Sequence, residues 1–212
     1  MNEKFFDLKK EKQDRMINAA LKVFALHGYR HACTDDIVKE AAISKGLLFH
    51  YFGSKLGVYA FIYDYSVRYL LLELSTAVDA KETDLFTLIR QVECGKMHAM
   101  CGYPYLQPFL NRAQAENVSE ALLAVEERKQ QLEDYLESVF ARADLGKYAS
   151  AEDAVKLRKM LELTIKGLMN ERILEDAYQP EMLYEEITEY LNLSRRLAER
   201  STQPSDEAFS EK

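Results

Sequence analysis

Apolar residues recur at helical spacing along almost the whole chain, and alternating apolar-polar runs bounded by turn signals are absent. That periodicity commits the chain to an all-α fold. From about Asp7 to His27, Ile17, Ala20, Leu21 and Phe24 fall at i, i+3, i+4 and i+7 and form one inward stripe, which Gly28 is placed to stop. Thr34 can then cap a short helix through Asp35, Asp36, Ile37, Val38 and Ala41, with both acids at the positive end of its dipole. Ser44 is a second capping residue, ahead of Lys45–Phe52, and Gly53-Ser54 closes that segment and caps a longer helix beginning near Lys55. Two short helices separated by Ala42-Ile43-Ser44 make a helix-turn-helix. The spacing predicts further helices at about 55–79, 84–101, 105–115, 118–143, 151–176 and 180–199. Asn117 with Glu120 and Ser150 with Asp153 resemble capping boxes, Gly146 follows a helix end and Pro180 takes a first-turn position. The expected architecture is a three-helix domain over 1–55 that continues into the long helix, a helical bundle over 56–200, about nine helices in all, and a disordered tail over 201–212.

Composition narrows the functional classes. With 48% apolar and 30% charged residues over 212 positions, the chain can bury a real core. The longest stretch free of Asp, Glu, Lys and Arg, Met97–Asn111, is 15 residues and holds Pro104 and Pro108, too short for a membrane span. The N-terminus mixes both charge signs without the apolar run of a secretory signal, so a cytoplasmic location is expected. Three scattered cysteines, Cys33, Cys94 and Cys101, are expected to be reduced thiols.

The net charge of −7 is unevenly spread. Residues 1–60 carry ten Lys/Arg against seven Asp/Glu, an excess of +3, which leaves −10 for the rest. A basic head on an acidic body can bring the head to a polyanion while the body is repelled.

The segment Arg15–Lys55 combines Ala20, Phe24, Gly28-Tyr29, Thr34, Ile37, Ala41, Ser44-Lys45-Gly46, Leu48, an aromatic pair ending in Phe52, and Lys55. In this spacing it resembles the DNA-binding domain of the tetracycline-repressor (TetR) family of bacterial transcription regulators. The resemblance covers about the first 65 residues and implies a regulator, a repressor by the family's usual habit, that binds a palindromic operator as a homodimer. The physics of the segment points the same way. A second helix this short cannot bury two faces, and a major groove about 12 Å wide admits a helix. Thr34 and Ser44 would place free backbone N–H groups near phosphate oxygens, and Gly46 would let the backbone lie close to DNA. Lys45 and Lys55 supply phosphate-pairing charge, and His50 and Tyr51 supply donors. Leu47 stands where the family usually has a small polar residue, and Phe49 replaces the common Tyr. Two readings stay open for them: apolar contact with thymine methyl groups, or burial in the core of the domain.

One small helix-turn-helix contacts too few groups for specific binding, so two copies about 34–36 Å apart are the physical solution. Leu157, Leu161, Ile165 and Leu168 of one helix and Leu183, Ile187, Tyr190 and Leu191 of the next are the expected dimer interface, a four-helix arrangement; closure of the protomer's own core is the other reading. Met97, Met100, Tyr103, Tyr105, Phe109, Tyr135 and Met160 offer adaptable, polarizable surfaces for a small, largely apolar effector, which the resemblance also implies, although ordinary core packing uses the same residue types. Cys94, His98 and Cys101 share one helical face at i, i+4 and i+7, but structural zinc usually needs four ligands, so neither metal nor cofactor is expected. Catalytic residues are not expected either: phosphate loop, His-Glu-x-x-His and nucleophile-elbow motifs are all missing. The alternative from another class is a helical-bundle metal- or small-molecule-binding protein or enzyme with no DNA-binding role.

Overall fold

The computed structural model describes residues 3–148, 150–173 and 179–200. Among them are nine α-helices and no strand: α1 (Lys10–His31), α2 (Thr34–Glu40), α3 (Lys45–Phe52), α4 (Lys55–Ala77), α5 (Leu85–Gly102), α6 (Leu106–Gln114), α7 (Ser119–Phe140), α8 (Ala151–Arg172) and α9 (Pro180–Arg200). Short 3-10 turns stand at Glu3–Phe5 and Leu145–Lys147. The all-helical expectation holds. The tail expected over 201–212 and the last residues of the helix expected over 151–176 lie outside the described residues.

Four local details differ from the sequence reading. Helix α1 starts at Lys10 and reaches His31, because Gly28 breaks it only locally, with φ 66° and ψ 175°. Thr34 is the first residue of α2, and Cys33 occupies the cap position without a side-chain hydrogen bond. Val118, not Asn117, precedes α7, and the free N–H groups of Asn117 and Val118 go to the Glu116 carboxylate at 2.9 and 3.0 Å. Helix α7 stops at Phe140, three residues short, where the chain turns toward the 3-10 segment. By contrast Ser44, Ser54 and Ser150 each accept a backbone N–H from three residues ahead, at 3.0–3.2 Å.

The core runs unbroken from the head, α1–α3, into the body. Ile17, Leu21 and Phe24 of α1, Ile37 of α2, Leu48 of α3 and Val58, Ile62 and Leu74 of α4 are all essentially solvent-free. Each such side chain contributes about 1.5–3 kcal/mol through burial. The α4 helix is the spine: its N-terminal half packs on the head and its C-terminal half lies between α5 and α7. Gly57 makes the entry to α4 possible, since a Cβ there would sit 1.9 Å from the Phe52 carbonyl oxygen. A second cluster joins the outer face of α5 (Phe86, Ile89) to α8 (Leu161, Ile165) and α9 (Leu183, Ile187, Leu191).

Candidate functional site

The outward face of α3 is built by contrast with its inward one. Leu48 is buried among Ile37, Ala41 and α1, and Tyr51 and Phe52 pack against the same core, which leaves the opposite side of the helix to face out. Ser44, Lys45, Gly46 and His50 are exposed, and Leu47 and Phe49 are half-buried without belonging to the residues packed on the core. Nothing lies within 4 Å of where a Gly46 Cβ would stand. Lys45 pairs with Asp35 at 2.8 Å. Both ends of that pair are more than half exposed, so a phosphate can compete for the ammonium. The turn before α3 holds Ala42 at φ 51°, left-handed backbone that a non-glycine residue rarely adopts.

Three long-range contacts hold this face in place. The Lys55 ammonium, expected at a phosphate, donates to the carbonyl oxygens of Tyr29 and Ala32 at 2.8 and 3.1 Å and lies 4.6 Å from the Tyr29 ring centroid. It thereby caps the end of α1. Phe5 is fully buried against Tyr51, Phe52 and Phe61, with ring centroids at 5.8, 5.3 and 4.9 Å, so the N-terminal segment buttresses α3 from behind. The signal for this in the sequence is the apolar pair Phe5-Phe6 ahead of a polar helix start. From the body, Glu116 and Glu120 accept the Tyr29 backbone N–H and phenol at 2.9 and 2.5 Å. Burial and these carboxylates push the Tyr29 phenol up to about 12.

A cavity of about 460 Å³ opens in the body among α4, α5, α6, α7 and α8. Its apolar walls include Leu70, Ile89, Leu110, Leu136, Phe140 and Ile165. Polar groups from four helices also reach it, among them Glu93 and Lys96 of α5, Gln107 and Asn111 of α6, Lys129, Glu133 and Glu137 of α7, and Arg158, Lys159, Glu162 and Lys166 of α8. None of the seven residues expected to line an effector pocket lines this one. Met100 sits in the second core cluster, Phe109 is buried between Phe24 and Tyr59, and Tyr105 and Tyr135 lean on the first cluster. Tyr103 is buried and donates its phenol to Asp14 at 2.7 Å, Met97 is half-buried, and Met160 is 53% exposed. Periodicity does not separate them from the residues lining this cavity, because core and cavity walls draw on the same apolar stripes.

Of the expected interface residues, Leu161, Ile165, Leu168, Leu183, Ile187 and Leu191 are buried within the protomer, Leu157 packs partly against them, and Tyr190 is exposed. A different apolar set faces outward: Val155, Met160 and Leu163 on α8, and Met182, Tyr190, Leu193 and Leu197 on α9. Cys94 Sγ lies 3.9 Å from His98 Nε2, while Cys101 donates to Glu181 Oε1 at 3.2 Å. Burial, then the Glu181 carboxylate, pushes the Cys101 thiol up to about 11. Among the described residues no group of three or more His, Cys, Asp or Glu is arranged to hold a metal ion, and no helix is long and apolar enough to cross a membrane.

Comparison with known proteins follows the same division of the chain. Residues 16–60 match the family of bacterial regulatory proteins, tetR family. A Bacillus subtilis (strain 168) protein described as the uncharacterized HTH-type transcriptional regulator YuxN is 37% identical over 78 residues, 35% of this chain and 26% of that protein. The whole fold is similar to that of a TetR family transcriptional regulator from Chloroflexus aurantiacus J-10-FL, with a TM-score of 0.61 and 23% identity over 94% of this chain and 93% of the other. It is also similar to the fatty acid degradation regulator FadR from Bacillus halodurans, with a TM-score of 0.58 and 20% identity over 84% and 96% of the two chains. At these identities the solved structures speak for the fold, and residues 16–60 carry the resemblance to the tetR family of bacterial regulatory proteins, over a stretch that spans about a quarter of the curated relative's length.

Proposed function

We propose that the protein is a transcriptional repressor that binds a palindromic operator as a homodimer, with α3 of each protomer in a major groove, and that a small effector in the body cavity releases it. The observation that carries this reading is the two-sided build of α3. Leu48 anchors the helix in the core, while Lys45, Gly46 and His50 are exposed and Leu47 and Phe49 half-buried on its other sides. Lys45 and the free N–H groups after Ser44 serve phosphates, and Leu47 and Phe49 serve thymine methyl groups. The outward apolar stripe of α8 and α9, in place of the residues that close the protomer core, supplies the surface for the second copy.

Helix α6 is the link between cavity and head. Its Gln107, Leu110 and Asn111 line the cavity, while Phe109 and Ala113 pack into the core beside α1. A ligand that prefers one placement of α6 thus changes the spacing of the two heads, and the coupling equals its affinity difference between the two placements. The test is fluorescence anisotropy of a duplex from the protein's own upstream region, titrated at rising salt. Affinity is expected to fall linearly on a log-log plot, in proportion to the phosphates neutralised. No salt-dependent binding at low ionic strength would overturn the reading.

A further inference from the structure

We infer that the ligand of the body cavity is an amphiphile with a neutral polar head carrying both a hydrogen-bond donor and an acceptor, of the primary carboxamide type, and not an anion or an ammonium ion. This rests on the reading of that cavity as the effector site. Three polar groups in its α5 and α6 walls decide the point, because on the α8 wall Lys159 and Lys166 both pair with Glu162, at 3.3 and 2.9 Å, Arg158 lies over the Phe140 ring, and α7 sets Lys129 against Glu133 and Glu137. Glu93 is only 5% exposed and is paired with Lys96 at 2.7 Å. A buried ion pair of this kind adds little stability over apolar residues of the same size, so its presence in a cavity wall points to recognition. Lys96 uses one of its three N–H groups in that bond and has two left to give, which calls for an acceptor on the ligand.

Gln107, 6% exposed, supplies the opposite demand. The Met169 sulfur can only accept, so the Asn111 amide turns its NH₂ toward it, at 3.2 Å. Asn111 Oδ1 is then left to accept from Gln107 Nε2, at 2.9 Å. The chain of bonds ends at Gln107 Oε1, a buried acceptor without a partner, on a residue that lines the cavity, so the wall there is one donor short. An anionic head would satisfy Lys96 but face Glu93 and leave Gln107 unpaired. An ammonium head would do the reverse and face Lys96. A neutral amide, with N–H and C=O side by side, meets both demands, and its hydrocarbon part meets Leu110, Leu136 and Phe140.

The test is calorimetric titration of the full chain with decanamide, decanoate and decylammonium, repeated with the variants K96M, Q107L and L136W. Decanamide is expected to bind tightest, and K96M and Q107L are expected to weaken it about tenfold or more, the loss that follows removal of a strong hydrogen-bond partner. L136W, which fills the cavity, is expected to abolish binding of all three. Tighter binding of decanoate or decylammonium overturns the proposal, as does unchanged amide affinity in both K96M and Q107L. If L136W binds decanamide like the parent, or if none of the three ligands binds, the cavity reading itself fails and the proposal with it. Circular dichroism of each variant keeps misfolding from passing as lost binding.

Discussion

The carboxylate of Glu116, between α6 and α7, accepts the backbone N–H of Tyr29, just past the break in α1, at 2.9 Å. One side chain of the body thus ties down the corner of the head where Gly28 has taken the backbone out of the helix. Burial alone would raise this carboxyl, but the N–H groups of Asn117, Val118 and Tyr29, with Arg30 nearby, outweigh it and hold the group below its usual 4.5.

That depression has a sign. A carboxylate held below its unfolded value contributes stability that is present above about pH 4.5 and lost as pH falls through the lower folded value. Glu116→Gln is expected to lower stability by about 1–2 kcal/mol at neutral pH. The gap from the parent should close below pH 4.5, in urea melts followed by circular dichroism across the acid range. A gap that does not change with pH would remove Glu116 from this role.

Lys55→Ala is expected to act on stability and not on phosphate charge. Its ammonium holds the Tyr29 and Ala32 carbonyls, so the loss of these bonds and of the ring contact should cost about 2–3 kcal/mol. The slope of log affinity against log salt should stay as in the parent. A slope lower by about one with an unchanged melting temperature would return Lys55 to the phosphates.

Two glycines should respond in opposite ways. Gly46→Ala places a methyl group in open space, so it should raise stability, by up to about 1 kcal/mol, while weakening operator binding wherever the α3 backbone approaches DNA. Gly57→Ala would press a Cβ to 1.9 Å from the Phe52 carbonyl, and most of the protein should fail to fold or melt far lower. Thermal melts of both, with anisotropy on operator DNA for Gly46→Ala, check the contrast.

The double variant L163D/L193D changes two exposed side chains, one on each of the last two helices, at 58% and 45% exposure. Sedimentation is expected to give a monomer of unchanged helicity, since neither residue belongs to the protomer core. Operator affinity should fall sharply when the two heads are no longer held together. A dimer that persists would place the interface elsewhere.

The sequence alone determined the helices, the turn over Ala42-Ile43-Ser44 and the serine caps, because all of these rest on residues three or four positions apart, and its family resemblance lies in the same N-terminal segment. It could not decide what depends on helices far apart in the chain. Lys55 reaches back to Tyr29, Glu116 reaches across from the body, and Phe5 packs behind α3, each through contacts that no local spacing encodes. The cavity is the plainest case. It is the space that α4, α5, α6, α7 and α8 leave unfilled, so tertiary packing decided that Gln107 and Lys96 line it while Tyr103 and Phe109 fill the core. Periodicity tells which side of a helix turns inward, and only the neighbours settle whether that side meets another side chain or an open space.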